Sequence, residues 1–201
     1  MDLVPTVISA GWASGVNAYL TVALLGLLGR AGVGEVPEEL QRDGVIVAAL
    51  AMFAVEFVAD KVPWFDSAWD TVHTLVRPAI GSAVGVDFAS SADVSGFEEV
   101  LAGGGSGGLA LASYAVKASL RLGINTSPEP FSNIVVSLLE DLAVAGVITL
   151  ALEYPLAAAI IALILLGTGI ALVLLLATRI RRGVGKLRER RIARGGPGPG
   201  G

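Results

Sequence analysis

The sequence predicts an all-α membrane protein, a polytopic bundle of about six transmembrane helices. Hydrophobic residues make up 54% of the 201 residues and charged residues only 16%, with a mean hydropathy of +0.73. In an ordinary soluble domain about a quarter of the residues are charged. Several apolar runs also reach the ~20 residues that a helix needs to cross a bilayer. The chain has no cysteine, which excludes disulfides, thiolate metal sites and cysteine nucleophiles.

Apolar runs and helix breakers divide the chain into one transmembrane domain, residues 1–178, and a tail. Pro63 separates the second and third runs, because proline lacks an N–H and disfavours a helical residue before it. Asp2 precedes the first run and no cation does, so the first run is not a cleaved signal peptide. The predicted spans are 5–29, 44–61, 66–85, 104–122, 132–152 and 156–178.

The tail at 179–201 holds eight of the 14 Lys and Arg residues and ends in GGPGPGG. Its composition predicts a disordered segment. A basic block after an apolar span indicates a cytoplasmic C-terminus in the inner membrane, and six crossings then put the N-terminus in the cytoplasm as well. The acidic loops at 32–43 and 87–99 fall outside. Topology accounts for the basic charge, so no nucleic-acid partner is expected.

Polar stripes run along otherwise apolar helices. Lys117 and Arg121 lie one turn apart, and Glu140 and Asp141 are adjacent near the middle of a span. Ionised groups in lipid are costly unless they face a partner or a wet cavity, so we expect these stripes to meet in a polar cavity on the cytoplasmic side. The candidate cavity residues are Glu56, Asp60, Asp66, Asp70, His73, Arg77, Lys117, Arg121, Asn125, Glu129, Asn133, Glu140 and Asp141.

The single histidine excludes a multi-histidine metal site. A carboxylate-rich cation site lacks a diagnostic spacing, and we expect neither a metal nor a cofactor.

Small residues cluster in the first and fourth spans, where they allow another helix to approach closely or mark an unwound segment. These residues are Gly11, Ser14, Gly15 and Asn17 in the first span, and Gly103, Gly104, Gly105, Ser106 and Gly107 in the fourth. Both spans are followed by a loop with a Pro-Glu pair, at residues 37–38 and 128–129. This leaves open whether the bundle consists of two inverted three-helix repeats.

Three motifs carry a resemblance to a known family. They are GWASGVNAY at residues 11–19, EFVADKVPWFD at 56–66, and NTSPEPFSN at 125–133 followed by Glu140-Asp141. With these motifs the chain resembles, over about residues 5–178, the bacterial membrane proteins grouped as domain of unknown function 4126. The resemblance implies a membrane protein and supplies no mechanism.

The polar stripes favour a channel or transporter for an ion or small polar solute. Acids on the second, third and fifth spans would bind a cation or relay protons, and Arg77, Lys117 and Arg121 would balance their charge. The alternative is a membrane scaffold or assembly factor whose charges form a structural network. An intramembrane enzyme ranks third, because no nucleophile–base pair or metal motif stands out. The lipid bilayer is the expected partner, and a homo-oligomer stays open.

Overall fold

The computed structural model describes residues 2–60, 63–125 and 130–193, with the side chains of 61–70, 72, 124–130, 180 and 182–193 left aside. These residues form a bundle of six helices and contain no strand. The helices are α1 Leu3–Arg30, α2 Asp43–Ala59, α3 Pro63–Ser91, α4 Gly96–Asn125, α5 Pro130–Glu153 and α6 Pro155–Ala193. The prediction of an all-α fold is confirmed.

Local sequence signals set the helix starts. Helices α3, α5 and α6 each begin at a proline, the residue whose missing N–H costs nothing in the first turn. Helix α4 begins after a reciprocal cap, in which the Ser95 N–H and Oγ donate to Glu98 Oε2 and the Glu98 N–H donates to Ser95 Oγ. These bonds from Ser95 lower the pKa of the exposed Glu98 carboxyl.

Helix α1 is interrupted at Asn17, whose backbone is extended with φ −150° and ψ 97°. A straight helix of 28 residues would be about 42 Å long. Instead Asp2, which precedes α1, and Glu35, which follows it, line one cavity together with Glu153 at the end of α5. The two ends of α1 therefore lie at the same end of the bundle.

Contacts with α5 show that α1 turns back on itself at Asn17, which is the tip of the turn. The Asn17 amide bonds Asp141, in the middle of α5, whereas both ends of α1 lie about 17 Å further along, near Leu152 and Glu153. Residues 3–16 and 18–30 thus form a hairpin of two half-helices. The expectation of one continuous span over 5–29 is corrected accordingly: the chain enters the bundle, turns at Asn17 and returns.

The hairpin fills the middle of the bundle, since α1 packs against each of the other five helices. We call the end that holds Asp2 and Glu35 the mouth end, and the opposite end, which α6 approaches at Leu176 beside Gly123, the tail end. Within the described residues, three helices are long and apolar enough to cross a membrane: Leu3–Arg30, Phe131–Glu153 and Pro155–Arg179. The chain is a membrane-type helical protein.

The first half of α1 and helix α4 run side by side in the same direction. Gly11 lies against Ser106, and five residues further along α1 the Val16 carbonyl bonds Lys117. An inverted repeat would require opposite directions, so the match between Ser14-Gly15 and Ser106-Gly107 does not support inversion.

Two further expectations are corrected. Helix α4 is continuous across residues 103–108, so of the two readings of that glycine run, close packing fits and an unwound segment does not. Helix α6 continues to Ala193, where disorder was expected from residue 179. The Arg, Lys, Leu and Glu residues that follow the span are good helix formers, and only 194–201 lie outside the described residues.

Candidate functional site

The site is built around the tip of α1, where Asn17 caps the second half-helix. Its Oδ1 accepts a hydrogen bond from the Leu20 N–H at 3.0 Å, and its carbonyl accepts one from the Thr21 hydroxyl at 2.8 Å. Its Nδ2 donates to Asp141 Oδ1 at 2.9 Å. An extended asparagine that bonds the N–H three residues on is an N-cap. One buried amide therefore ends one half-helix, starts the next and ties the tip to α5.

The first half-helix ends with carbonyl groups that have no helical partner, and side chains from α3 and α4 bond them. The Lys117 ammonium donates to the Val16 carbonyl at 2.9 Å, and Arg77 Nη1 donates to the Gly15 carbonyl at 3.4 Å. The Ser113 hydroxyl donates to the Trp12 carbonyl at 2.8 Å. A helix C-terminus carries partial negative charge, which cations stabilise. The break in α1 is thus matched to two buried cations.

Buried carboxylates from α2 and α5 pair with the same cations. Arg77 Nη2 lies 2.6 Å from Glu56 Oε1, and both side chains are fully buried. Lys117 Nζ lies 3.0 Å from Asp60 Oδ2 and 3.6 Å from Glu140 Oε2. These pairs join α3 to α2, and α4 to both α2 and α5.

Arg121 closes the network one turn below Lys117. Its Nη2 contacts Glu140 Oε2 at 2.6 Å and Asp60 Oδ2 at 3.2 Å, and its Nη1 bonds Asn133 Oδ1 at 3.0 Å. Asn133 Nδ2 returns a bond of 2.8 Å to the Asp60 carbonyl, at the end of α2. Four helices and the α1 tip thus share one buried polar layer, which we call the tip cluster: Gly15, Val16, Asn17, Glu56, Asp60, Arg77, Lys117, Arg121, Asn133, Glu140 and Asp141.

Some buried carboxylate oxygens in this cluster have spare capacity. Glu56 Oε2 and Asp60 Oδ1 are buried and make no hydrogen bond to the part of the chain described here. A carboxylate oxygen accepts bonds only, so these atoms would take a proton, a donor group or a cation. Within the described residues no group of acids and histidine has the arrangement of a metal site.

Aromatic side chains flank the cluster and were not anticipated from the sequence. The Tyr114 ring lies 5.0 Å from the Arg77 guanidinium carbon, a cation–π distance, and its hydroxyl lies 3.0 Å from the Thr74 hydroxyl. The Tyr19 hydroxyl lies 2.8 Å from His73 Nε2. A lone tyrosine in an apolar span gives no pattern that would distinguish this role from core packing.

The structure brings together most of the candidate cavity residues. Glu56, Asp60 and Glu140 each lie within 4 Å of a predicted cationic partner, so their predicted proximity to the cations is confirmed. Asp141 bonds Asn17, and His73 adjoins the cluster through Tyr19. Four candidates have side chains outside the described residues: Asp66, Asp70, Asn125 and Glu129.

Small residues form a tight seam between α1, α3 and α4. A Cβ on Gly11 would meet the Ser106 carbonyl at 2.7 Å, and one on Gly103 would meet Val86 at the same distance. A Cβ on Gly15 would overlap the Ser113 hydroxyl, and one on Gly107 would overlap the Ser82 hydroxyl. A Cβ on Gly104 or Gly105 would meet open space. The Ser14 and Ser106 hydroxyls are buried in this seam. Close packing is therefore the role of the small residues on one face of α4, and its other face is exposed.

These observations define a class: an all-helical membrane protein with a central broken helix and a buried ion-pair cluster at the break. A family model described as a domain of unknown function, DUF4126, matches residues 4–175, and the chain belongs to that family. No curated protein and no solved structure matches the chain.

Proposed function

We propose that the protein is a channel or transporter for an ion or a small polar solute, with a pathway that passes the tip of α1. The observation that carries this proposal is the broken helix whose terminal carbonyls are bonded by side chains of a buried charge cluster. Irregular backbone at membrane depth is tolerated where it is buried in protein or lines a cavity. Transporters form their sites at such breaks in helices, and ionisable groups within membranes commonly mark pathways.

We infer that the polar cavity lies between the tip cluster and the tail end, on the cytoplasmic side. The basic residues that follow the α6 span favour a cytoplasmic tail end, and the acidic segments at 32–43 and 87–99 lie toward the mouth end. As the sequence predicts, we propose that this cavity also includes Asp66, Asp70, Asn125 and Glu129, whose side chains lie outside the described residues.

A re-entrant α1 changes the inferred sidedness of the N-terminus. If 3–30 enters and leaves at the mouth end, five helices cross the inner membrane, and the N-terminus lies on the side opposite the C-terminus. The expectation of a cytoplasmic N-terminus came from counting 5–29 as a full crossing.

Single cysteines introduced into this cysteine-free chain test the sidedness. A membrane-impermeant maleimide applied to intact cells should label Asp2→Cys and Glu35→Cys, and should label Arg181→Cys only after permeabilisation. Labelling of Asp2→Cys that requires permeabilisation, with Glu35→Cys labelled from outside, would restore a full crossing for α1.

Flux through the purified protein in proteoliposomes tests the pathway. Wild-type protein should carry at least one member of a panel of protons, Na⁺, K⁺ and small polar solutes above protein-free vesicles. Glu140→Gln and Asp70→Asn preserve side-chain shape, and we expect folded variants with at least tenfold lower flux. Glu153→Gln, an exposed acid at the end of the same helix as Glu140, is the matched control and should keep wild-type flux.

The alternative function is a non-transporting scaffold or assembly factor. The pairing of all three buried cations of the tip cluster with carboxylates favours it. Arg77, Lys117 and Arg121 each contact a carboxylate within 3.2 Å, as a structural lock would require. A wild-type protein that carries no member of the panel, together with a Glu140→Gln variant that loses stability, would overturn the transport proposal in favour of the scaffold.

A further inference from the structure

A cavity of about 290 Å³ lies between α4, α5 and α6 and reaches the tip cluster from the side. Trp12 and Val16 of α1 line it together with Lys117 and Glu140. The rest of the lining is mostly leucine, valine and alanine, with the uncharged Ser113, Thr168 and Gly169. This volume is at the small end of the range for ligand pockets. The cavity is therefore an apolar chamber with charge at one place only.

The charge that the cavity offers to a ligand is negative. Lys117 is 2% exposed and already bonds the Val16 carbonyl and Asp60, so its ammonium has little capacity for an anion. Glu140 is 17% exposed. Its Oε2 takes the contacts with Lys117 and Arg121, and its Oε1 forms no hydrogen bond with the described residues. Among the charged groups of the lining, the Glu140 carboxylate is thus the one with capacity for a ligand.

An aromatic side chain of the cavity also favours a cation. Trp12 adds an indole to the same wall, and an indole face attracts a desolvated ammonium. We propose that this cavity binds a compact organic cation, an ammonium group carried on an apolar body.

The entrance of the cavity fits such a ligand. Leu139, Leu165 and Leu172 line it and are each more than a third exposed, on the two helices that are least buried among the membrane-type helices. A ligand with an apolar body can reach this opening through the hydrocarbon region. If this cation is a transport substrate, the inference names the substrate class of the proposed function and rests on it. If the cation is only a bound ligand, the inference does not depend on the proposed function.

Binding to the purified full-length protein in detergent tests the site separately from flux. The probe is benzyltrimethylammonium, measured by isothermal titration calorimetry, with benzenesulfonate as an anion of similar size. We expect saturable binding of the cation and at least tenfold weaker binding of the anion. Glu140→Gln should weaken cation binding at least tenfold, and Glu153→Gln should leave it within twofold.

A second variant keeps every charge in place. Thr168 is exposed and lines the cavity, so Thr168→Trp should fill the chamber and abolish binding without breaking an ion pair. Absence of saturable cation binding, equal binding of the anion, or unchanged binding in a folded Thr168→Trp variant would each overturn the site. Saturable cation binding without any flux would overturn the transport proposal and leave this site standing. Ion flux without cation binding would overturn this site and leave the transport proposal standing.

Discussion

Helices α1 and α6 look alike by composition and occupy opposite environments. Both are long and apolar enough to span a membrane, but 78% of the most apolar window of α1 is buried, against 17% for α6. Helix α6 exposes large side chains such as Ile164 and Leu174, whereas α1 brings glycines and serines against its neighbours. The comparison teaches that hydropathy identifies membrane-compatible segments, and that side-chain size and polar breaks decide which of them lies at the centre.

The physical reason is the solvent. Lipid tails are as apolar as leucine, so burying leucine inside a membrane bundle gains little, and close contact between small residues drives helix packing instead. A polar break such as Asn17 is costly against lipid and must find partners. It therefore lies where α3, α4 and α5 supply them.

The largest expected effect comes from breaking an ion pair at the α1 tip. Glu56→Gln removes a charge that lies against Arg77, and both side chains are fully buried. We expect a loss of roughly 3 to 5 kcal/mol in the free energy of unfolding, the usual cost of breaking a buried pair. Denaturant unfolding in detergent measures it. The exposed control Glu153→Gln should be neutral, and a Glu56→Gln variant as stable as this control would show that the pair adds no stability.

Removing the cap at the tip should cost somewhat less. Asn17→Ala deletes the bond to the Leu20 N–H and the bond to Asp141. A cap contributes ~1 kcal/mol and a bond to a charged group ~1.5 to 3, so we expect a loss of roughly 2 to 4 kcal/mol. On α6 the exposed Thr178 bonds only the nearby Leu175 carbonyl. Thr178→Ala should change stability little, and a similar loss there would contradict the contrast between the two helices.

A matched pair of glycines tests packing alone. A Cβ on Gly15 would overlap the Ser113 hydroxyl and the Ala110 carbonyl, and one on Gly167 of α6 would meet nothing within 4 Å. We expect Gly15→Ala to destabilise the protein by roughly 1 to 3 kcal/mol through overpacking. Gly167→Ala should be neutral or stabilising by up to ~1 kcal/mol, because alanine favours a helix. Thermal unfolding of both variants in one detergent gives the comparison, and a stable Gly15→Ala variant would refute tight packing at the tip.

The smallest expected effect concerns an exposed cap, in contrast to the buried cap at Asn17. Ser95→Ala removes bonds that hold the pKa of Glu98 below its ordinary value. A lowered folded pKa stabilises the protein above the unfolded pKa, and this contribution is lost as the pH falls through the folded pKa. We expect a slightly lower Tm at neutral pH and a gap from wild type that closes below about pH 4.5. A gap that is constant from pH 7 to pH 3 would exclude the Glu98 carboxylate as its cause.

Sequence reasoning predicts the helices well because their signals are local. Apolar runs and the prolines at 63, 130 and 155 indicate six helices. Helices α2 and α5 begin and end within two residues of the predicted bounds, whereas α3, α4 and α6 extend beyond theirs. The tail was mispredicted from residue 179 onward because the disorder of its final Gly-Pro stretch was extended to residues that are good helix formers.

The charge pairing was predictable in kind and not in detail. Acids and bases at one depth must pair, but only helix rotation and register decide that Arg77 bonds Glu56 while Arg121 bonds Glu140. The break at Asn17 was harder to anticipate. Its signal is a single asparagine in the small-residue run GVNA, which fits close packing as well as an unwound segment. The acceptor that holds its amide, Asp141, lies on a distant helix.

The separation in sequence between the α1 tip and its partners constrains how the protein is made. The Val16 carbonyl is synthesised 101 residues before its partner Lys117. At a synthesis rate of 5 to 20 residues per second, this delay is about 5 to 20 s. During that time the half-helices lack Lys117, and the Asp141 acceptor follows later still. The N-terminal segment must therefore stay in a polar environment of the insertion machinery, or at the membrane surface, until α4 and α5 have been synthesised.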